Sequence, residues 1–257
     1  MTGQITTDTT GAVARVTLDN PSRRNAMTIA MWQALRTTFT DLAADKGLRA
    51  VIVAGAGETF CAGADVSEFA AHRRSADQAE AYSRLSQAAT DAILALPLPV
   101  IAEVRGPCLG AGTAIALACD LRYLDASATW GIPAARLGVG YELNWLSRMV
   151  TQLGAAVAAE ALLTAASFGA EQARETGFAH AVLDSAGLAE HVAATAHTIT
   201  RLAPLTLAAA KAGVAAAATG RGARLAAARV RECGESADYQ RALAALAARE
   251  RPEFCGD

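Results

Sequence analysis

Two short blocks of small residues in this 257-residue chain have the make-up that chemistry on a polarised carbonyl would use. One is FCAGAD, residues 60–65, and the other is RGPCLGAG, residues 105–112. Each follows an apolar run of strand length and precedes a helix start. Small side chains let a ligand approach the main chain closely, and the first N–H groups of a helix point outward without intrahelical partners. Two such donors converging on one point form an oxyanion hole, which stabilises charge developing on a carbonyl oxygen. Tight strand-to-helix turns with no ligand have the same composition, so from the residues alone both readings stay open.

Other sites fail on spacing. Gly55-Ala56-Gly57 is followed by Phe60 where a dinucleotide fingerprint needs its third glycine; Ile115 and Leu143 stand in that place after Gly110-x-Gly112 and Gly138-x-Gly140. There is no P-loop, no G-x-S-x-G elbow and no H-E-x-x-H, and His72, His180, His191 and His197 lie far along the chain from the glycine loops. Neither a histidine triad nor a metal site is expected. The five cysteines are odd in number and lack C-x-x-C spacing, so Cys61 and Cys108, inside the two key loops, read as small apolar residues of a reduced protein.

Composition narrows the class. Hydrophobic residues are 53% and charged residues 19%, which excludes a disordered chain; 23 basic against 25 acidic side chains leave no positive field for nucleic acid. No basic-then-apolar leader and no unbroken apolar run of about 18 residues is visible, so neither secretion nor a membrane span is expected and the location expected is cytoplasmic.

The elements that must carry the two loops can be traced from periodicity. Val13, Val16 and Leu18 alternate with polar residues as in a half-buried strand. Residues 28–43 are helical in spacing, with Thr28 as N-cap. RAVIVAG, residues 49–55, is a buried strand; a helix over 79–96 ends at LPLP, and 100–104 is a second buried strand. A helix then runs from the Gly110–Gly112 turn to Cys119, a strand starts at Asp120, and 130–140 is glycine-punctuated loop. The rest is mostly helical apart from a strand over 179–183. Beyond Arg201 the chain is alanine-rich helix divided at Pro204, Gly213 and Gly220, and this sets a boundary between a core of residues 1–200 and a helical region of residues 201–257.

In order along the chain, NPSRRNAM (20–27), the FCAGAD block, RGPCLGAGTAIALACDLR (105–122) and WGIPAARLGVG (130–140) resemble the crotonase superfamily, the enoyl-CoA hydratase/isomerase family. The resemblance implies an α/β fold, a repeated ββα spiral core followed by a C-terminal helical trimerisation region, in homotrimers or homohexamers. It implies an acyl-CoA thioester as ligand, with coenzyme A as part of the substrate and no separate cofactor. By position, the main-chain N–H groups of Ala64 and Ala111 would form the oxyanion hole, flanked by Gly63, Asp65 and Gly110. Arg24, Asn25, Ala26 and Ala62 would line the CoA site, and Arg251 and Phe254 would reach CoA from the C-terminal turn.

The sequence also departs from that family. Where its hydratases place two catalytic glutamates, this chain has Ala114 and Ala134, and alanine transfers no proton. Glu142 is the candidate base or nucleophile, activated by burial beside Tyr141, Leu143 and Trp145; the alternative is an exposed acid at a helix start. Tyr141 is a candidate hydrogen-bond donor to substrate, and Trp130 and Trp145 are candidates for the acyl pocket, packing being the other role for each. Asp65 and Glu68 are expected also to start the helix after the first loop. The expected reaction is double-bond isomerisation through a stabilised enolate, with hydration weak or absent. The alternatives are a non-catalytic acyl-CoA-binding protein of lipid metabolism and a hydratase with a non-standard acid/base.

Overall fold

A computed structural model describes residues 3–257. Its larger sheet holds six strands in the order β1-β2-β3-β4-β6-β9: β1 (Gln4–Thr10), β2 (Val13–Asp19), β3 (Ala50–Gly55), β4 (Val100–Val104), β6 (Leu121–Asp125) and β9 (Ala181–Leu183). Only the β1–β2 pair is antiparallel; from β2 onward every pairing is parallel. A smaller sheet joins β5 (Pro107–Leu109), β7 (Thr129–Gly131) and β8 (Ser167–Gly169). β4 then β5, and β6 then β7, place one strand in the large sheet and the next in the small one before a helix closes the turn, which is the ββα unit of the spiral.

Helices cover the large sheet. α1 (Ile29–Ala44) starts where Thr28 Oγ1 accepts from Met31 N at 3.1 Å, and buries Met31, Trp32, Leu35, Phe39 and Leu42 against the core. The short α2 (Phe69–His72) precedes α3 (Ala76–Ala95), which packs along α1 and stops before Pro97 and Pro99. α4 (Ala111–Ala118) is buried almost throughout, which explains why its sequence, AGTAIALA, shows no polar face. α5 (Leu143–Leu163) kinks at Gly154, whose φ is +82°; α6 (Ala170–Glu175) and α7 (Gly187–Thr200) complete the core, α7 on the opposite face of the large sheet with Leu188, Val192, Ala196 and Ile199 buried.

Past Arg201 the chain is α8 (Pro204–Thr219), α9 (Ala223–Glu235) and α10 (Ala237–Ala248), then an extended tail. Lys211 on α8 anchors this region: its ammonium donates to Asp120 at 2.7 Å and to the Leu98 carbonyl at 3.0 Å. Gly213, expected to divide this segment, lies inside α8, because the flanking alanines are strong helix formers. Val214, Leu225, Val230 and Leu246 on these helices are exposed. Among the described residues no single helix is long and apolar enough to cross a membrane.

The two glycines Gly112 and Gly213 give opposite expectations. A Cβ on Gly112 would sit 2.5 Å from the Cys61 carbonyl oxygen and 2.9 Å from Cys61 Cβ, inside a packed core, whereas one on Gly213 would meet nothing within 4 Å. Gly112→Ala should lose about 1–3 kcal/mol by overpacking. Gly213→Ala should gain about 0.5–1 kcal/mol by removing helix-interior glycine entropy. Urea unfolding of the two variants beside the parent chain checks both signs.

Candidate active site

The FCAGAD and RGPCLGAG loops lie side by side because their main chains pair. Cys61 and Cys108 form a parallel bridge, with Cys61 N donating to the Pro107 carbonyl at 3.0 Å and Leu109 N donating to the Cys61 carbonyl at 2.9 Å. Phe60 N adds a third bond, to the Arg105 carbonyl at 2.7 Å. From the other side, Gly110 N donates to the Gly131 carbonyl at 2.8 Å, and Thr113 Oγ1 lies 2.8 Å from the Cys108 carbonyl and 2.9 Å from that of Gly131. The turn needs Gly110 itself, whose φ of +50° and ψ of −104° suit glycine alone. Both cysteines are fully buried; desolvation pushes the Cys61 thiol up to about 12 and the Cys108 thiol well above its ordinary value, so both stay protonated. They serve as small apolar residues.

This pairing brings the two candidate donors together. A Cβ on Gly110 would lie 3.8 Å from Gly63 Cα, so the loops touch beside Ala64 and Ala111. Among the described residues, neither the Ala64 nor the Ala111 N–H has a main-chain or side-chain acceptor. Both residues line one cavity of about 150 Å³, together with Ala62, Gly63, Gly110 and the alanines Ala114 and Ala134. Aromatic and apolar side chains form most of the remaining wall: Trp32, Phe69, Tyr82, Leu137, Val139, Tyr141 and Trp145. Among the described residues, Glu142 is the only acidic side chain on that wall and Arg73 the only basic one.

Of the two settings expected for Glu142, the structure has the exposed acid at a helix start. It stands at the N-cap of α5, makes no capping bond to the helix and is exposed, with Leu143 beside it 74% exposed. Burial by Leu143, which the sequence reading relied on, is therefore not present. Tyr141 does face the loops: its hydroxyl is 3.8 Å from the position a Cβ on Gly110 would take, and desolvation raises its phenol to about 12. It is a neutral hydrogen-bond donor at physiological pH.

Several residues expected to bind CoA or substrate also hold the loops in shape. Asn25 is fully buried; its amide nitrogen donates to the carbonyls of Ala56 at 2.9 Å and Thr59 at 2.6 Å, and its Oδ1 accepts from Asn20 N at 3.0 Å. The neighbouring main chain clips the two segments together through Ala62 N to the Arg24 carbonyl and Met27 N to the Gly63 carbonyl, and Ala26 is buried behind them. Asp65 caps the turn that follows, accepting from Ser67 N and Ser67 Oγ. Glu68 starts a different helix from the one expected, since its Oε2 accepts from Ile29 N at the head of α1. Trp130 is no part of the cavity: it is wholly buried, stacked between Phe168 and Phe178 at 4.5 and 4.6 Å.

Arg24 is exposed on its loop, with a left-handed φ of +52°. Arg251 is exposed and Phe254 half-buried in the tail, neither on the cavity wall. That tail folds back on α10, where Asp238 accepts from Cys255 N and Gly256 N, and Arg49 holds the Cys255 carbonyl. The sequence reading missed Trp32, Phe69, Arg73, Tyr82 and Ser83. The helical spacing of Tyr82, Ser86, Ala89, Thr90 and Ile93 marks the inward face of α3 and was the available signal for Tyr82.

A spiral of this topology with paired glycine-rich loops over one apolar cavity defines a class, and comparison with known proteins gives the family. A family model described as enoyl-CoA hydratase/isomerase matches residues 8–256. The chain belongs to that family, within the crotonase superfamily. A crystal structure of an enoyl-CoA hydratase/carnithine racemase from Magnetospirillum magneticum superposes with a TM-score of 0.92 at 34% identity, covering 98% of this chain and 96% of the other. Mevalonyl-coenzyme A hydratase sidH of Aspergillus fumigatus is 30% identical over 74% of this chain and 69% of its own. The peroxisomal Delta(3,5)-Delta(2,4)-dienoyl-CoA isomerase of Arabidopsis thaliana is 29% identical over 69% of this chain and 68% of its own.

Removing the Asn25 side chain should unfasten the first loop. Asn25→Ala strands two part-buried carbonyls and one buried N–H and leaves alanine at a φ of +56°, so we expect a loss of about 3 kcal/mol, set mainly by the unpaired groups. A urea midpoint unchanged by the substitution would contradict the clamp.

Proposed function

We propose that the protein binds an acyl-CoA thioester with its thioester oxygen between the Ala64 and Ala111 N–H groups, and moves an α- or γ-proton through Glu142. The observation that carries this reading is the meeting of two acceptor-free main-chain donors and a single carboxylate on one cavity wall. Removing a proton beside a thioester turns the carbonyl into an enolate, whose charge sits on oxygen. Fixed donors at that oxygen favour the enolate over the neutral ground state and need no reorganisation as the charge forms. Each such donor is worth about 10²–10³ in rate.

With Ala114 and Ala134 on the wall at the positions matched to the family's two glutamates, a pair of acids for activating water and exchanging the α-proton is lacking. One carboxylate suffices to carry a proton from one carbon to another, so double-bond isomerisation is the reaction this wall supports best. Glu142 is exposed and, among the described residues, is in no ion pair, so its carboxylate is free to meet a bound acyl chain. Tyr141, a neutral phenol beside Gly110, is placed to donate to substrate. The exposed Val214, Leu225, Val230 and Leu246 support packing of α8–α10 against further copies of the chain.

Exposure of Glu142 also favours a second reading, an acyl-CoA-binding protein without turnover. Mass spectrometry of saturated, 2-enoyl and 3-enoyl thioesters incubated in deuterated buffer separates the two. We expect deuterium uptake or bond migration without added water, falling by about 10²–10⁴ in Glu142→Gln while thioester binding persists. Thioesters that bind and return unlabelled would establish the second reading. Addition of water would point to hydration with a non-standard acid, and unchanged turnover in the glutamine variant would remove Glu142 from the mechanism.

A further inference from the structure

Arg73 lines the cavity with its charge uncompensated among the described residues. Among the described residues it is in no ion pair, and its side chain makes no hydrogen bond within the protein. Its guanidinium carbon lies 4.9 Å from the Phe69 ring centroid and 5.0 Å from that of Tyr82, so two aromatic faces hold the group while its N–H donors stay unspent.

The hydroxyls around it are unspent too. Tyr82 Oη accepts from Trp32 Nε1 at 3.1 Å, and among the described residues nothing accepts the tyrosine's own proton. The hydroxyls of Ser83 and Tyr141, on the same wall, have no protein partner among those residues. Burial raises both phenols to about 12, against the opposing pull of Arg73, which acts on each; both are donors at neutral pH. Acceptors on this side are few. Glu68 spends Oε2 on Ile29 N, Ser86 Oγ donates to the Ser83 carbonyl, and Glu142 is exposed and unpaired with Arg73.

A pure hydrocarbon chain filling this space would displace water from a guanidinium and three hydroxyls and give them nothing in return, which costs free energy at each group. A carboxylate at the far end of the acyl chain would satisfy them, and a planar guanidinium suits it because two N–H groups can meet two oxygens. We propose that Arg73, with Tyr82 and Ser83, reads a carboxylate on the acyl chain, so that the preferred ligand is the CoA thioester of a dicarboxylic acid. This rests on the reading above that the cavity takes a CoA thioester.

Calorimetric titration of glutaryl-CoA, pentanoyl-CoA and free CoA tests it, because the two acyl chains have five carbons each and differ in the terminal carboxylate. The expected preference of the parent chain for glutaryl-CoA over pentanoyl-CoA is about 10- to 100-fold. Arg73→Met should bring that ratio close to one, and Arg73→Lys should keep part of it. Equal binding of both thioesters by the parent chain, a measurement that needs no variant to fold, overturns the proposal and leaves the thioester reading standing. Failure of both thioesters to bind overturns the thioester reading itself. If Arg73→Met weakens free CoA as much as glutaryl-CoA, the anion read by Arg73 is a phosphate of CoA and the proposal falls.

Discussion

The site depends on one short stretch of main-chain pairing, the parallel bridge between Cys61 and Cys108. Parallel strands β3 and β4 deliver both loops to the same end of the sheet, yet that alone would leave them splayed by side-chain volume. What closes them is the bonding of Cys61 N to Pro107 and of Leu109 N back to Cys61, with Gly112 pressed on the Cys61 carbonyl. Once residues 61 and 108 are paired, Gly63 and Gly110 come into contact, and Ala64 and Ala111, whose N–H groups have no acceptor among the described residues, line one cavity. The cysteine thiols add no chemistry; a small buried side chain is what the bridge requires at both positions.

The polar residues around the loops divide by whether their bonds are used up. Asn25, Asp65, Glu68 and Thr113 are spent on the main chain, and that is how irregular backbone is kept rigid without regular structure. Arg73, Tyr82, Ser83, Tyr141 and Glu142 keep donor or acceptor capacity and line the cavity. Spent groups set shape, and unspent groups are the ones free to meet a ligand. By that division the Asn25 side chain belongs to the scaffold although it lies in a loop matched to CoA binding, while Arg73 is free for the role proposed for it.

Legibility in the sequence followed how local each cause was. Thr28 as N-cap, the buried runs at β3 and β4 and the prolines that stop α3 act within a few residues, and each was readable. β1 was not: QITTDTT lacks an apolar face, and it is a strand only because it pairs along its whole length with β2 at the sheet edge. Trp130 was drawn toward the pocket by its glycine-rich neighbourhood, whereas the rings that trap it, Phe168 and Phe178, come from β8 and the turn after α6. The exposure of Glu142 was legible only as one of two alternatives, because a helix-start position fits an exposed acid while the neighbouring Tyr141, Leu143 and Trp145 fit a buried one.

A hole made of main-chain donors has a consequence for how such a site can change. Because the N–H groups proposed to form the hole, those of residues 64 and 111, belong to the backbone, alanine serves there as well as any small residue, and such a hole would survive substitutions elsewhere on the wall. Ala114 lies on a buried helix and Ala134 in a tight turn before the left-handed Gly138, and neither position contributes to the bridge that holds the loops. Acidic groups can be lost at those places without disturbing the donors. Under the proposed function, binding geometry and choice of reaction are therefore separable: the pairing of the loops would fix where a thioester oxygen sits, and the few side chains facing the acyl group would decide which proton moves and which acyl group is accepted.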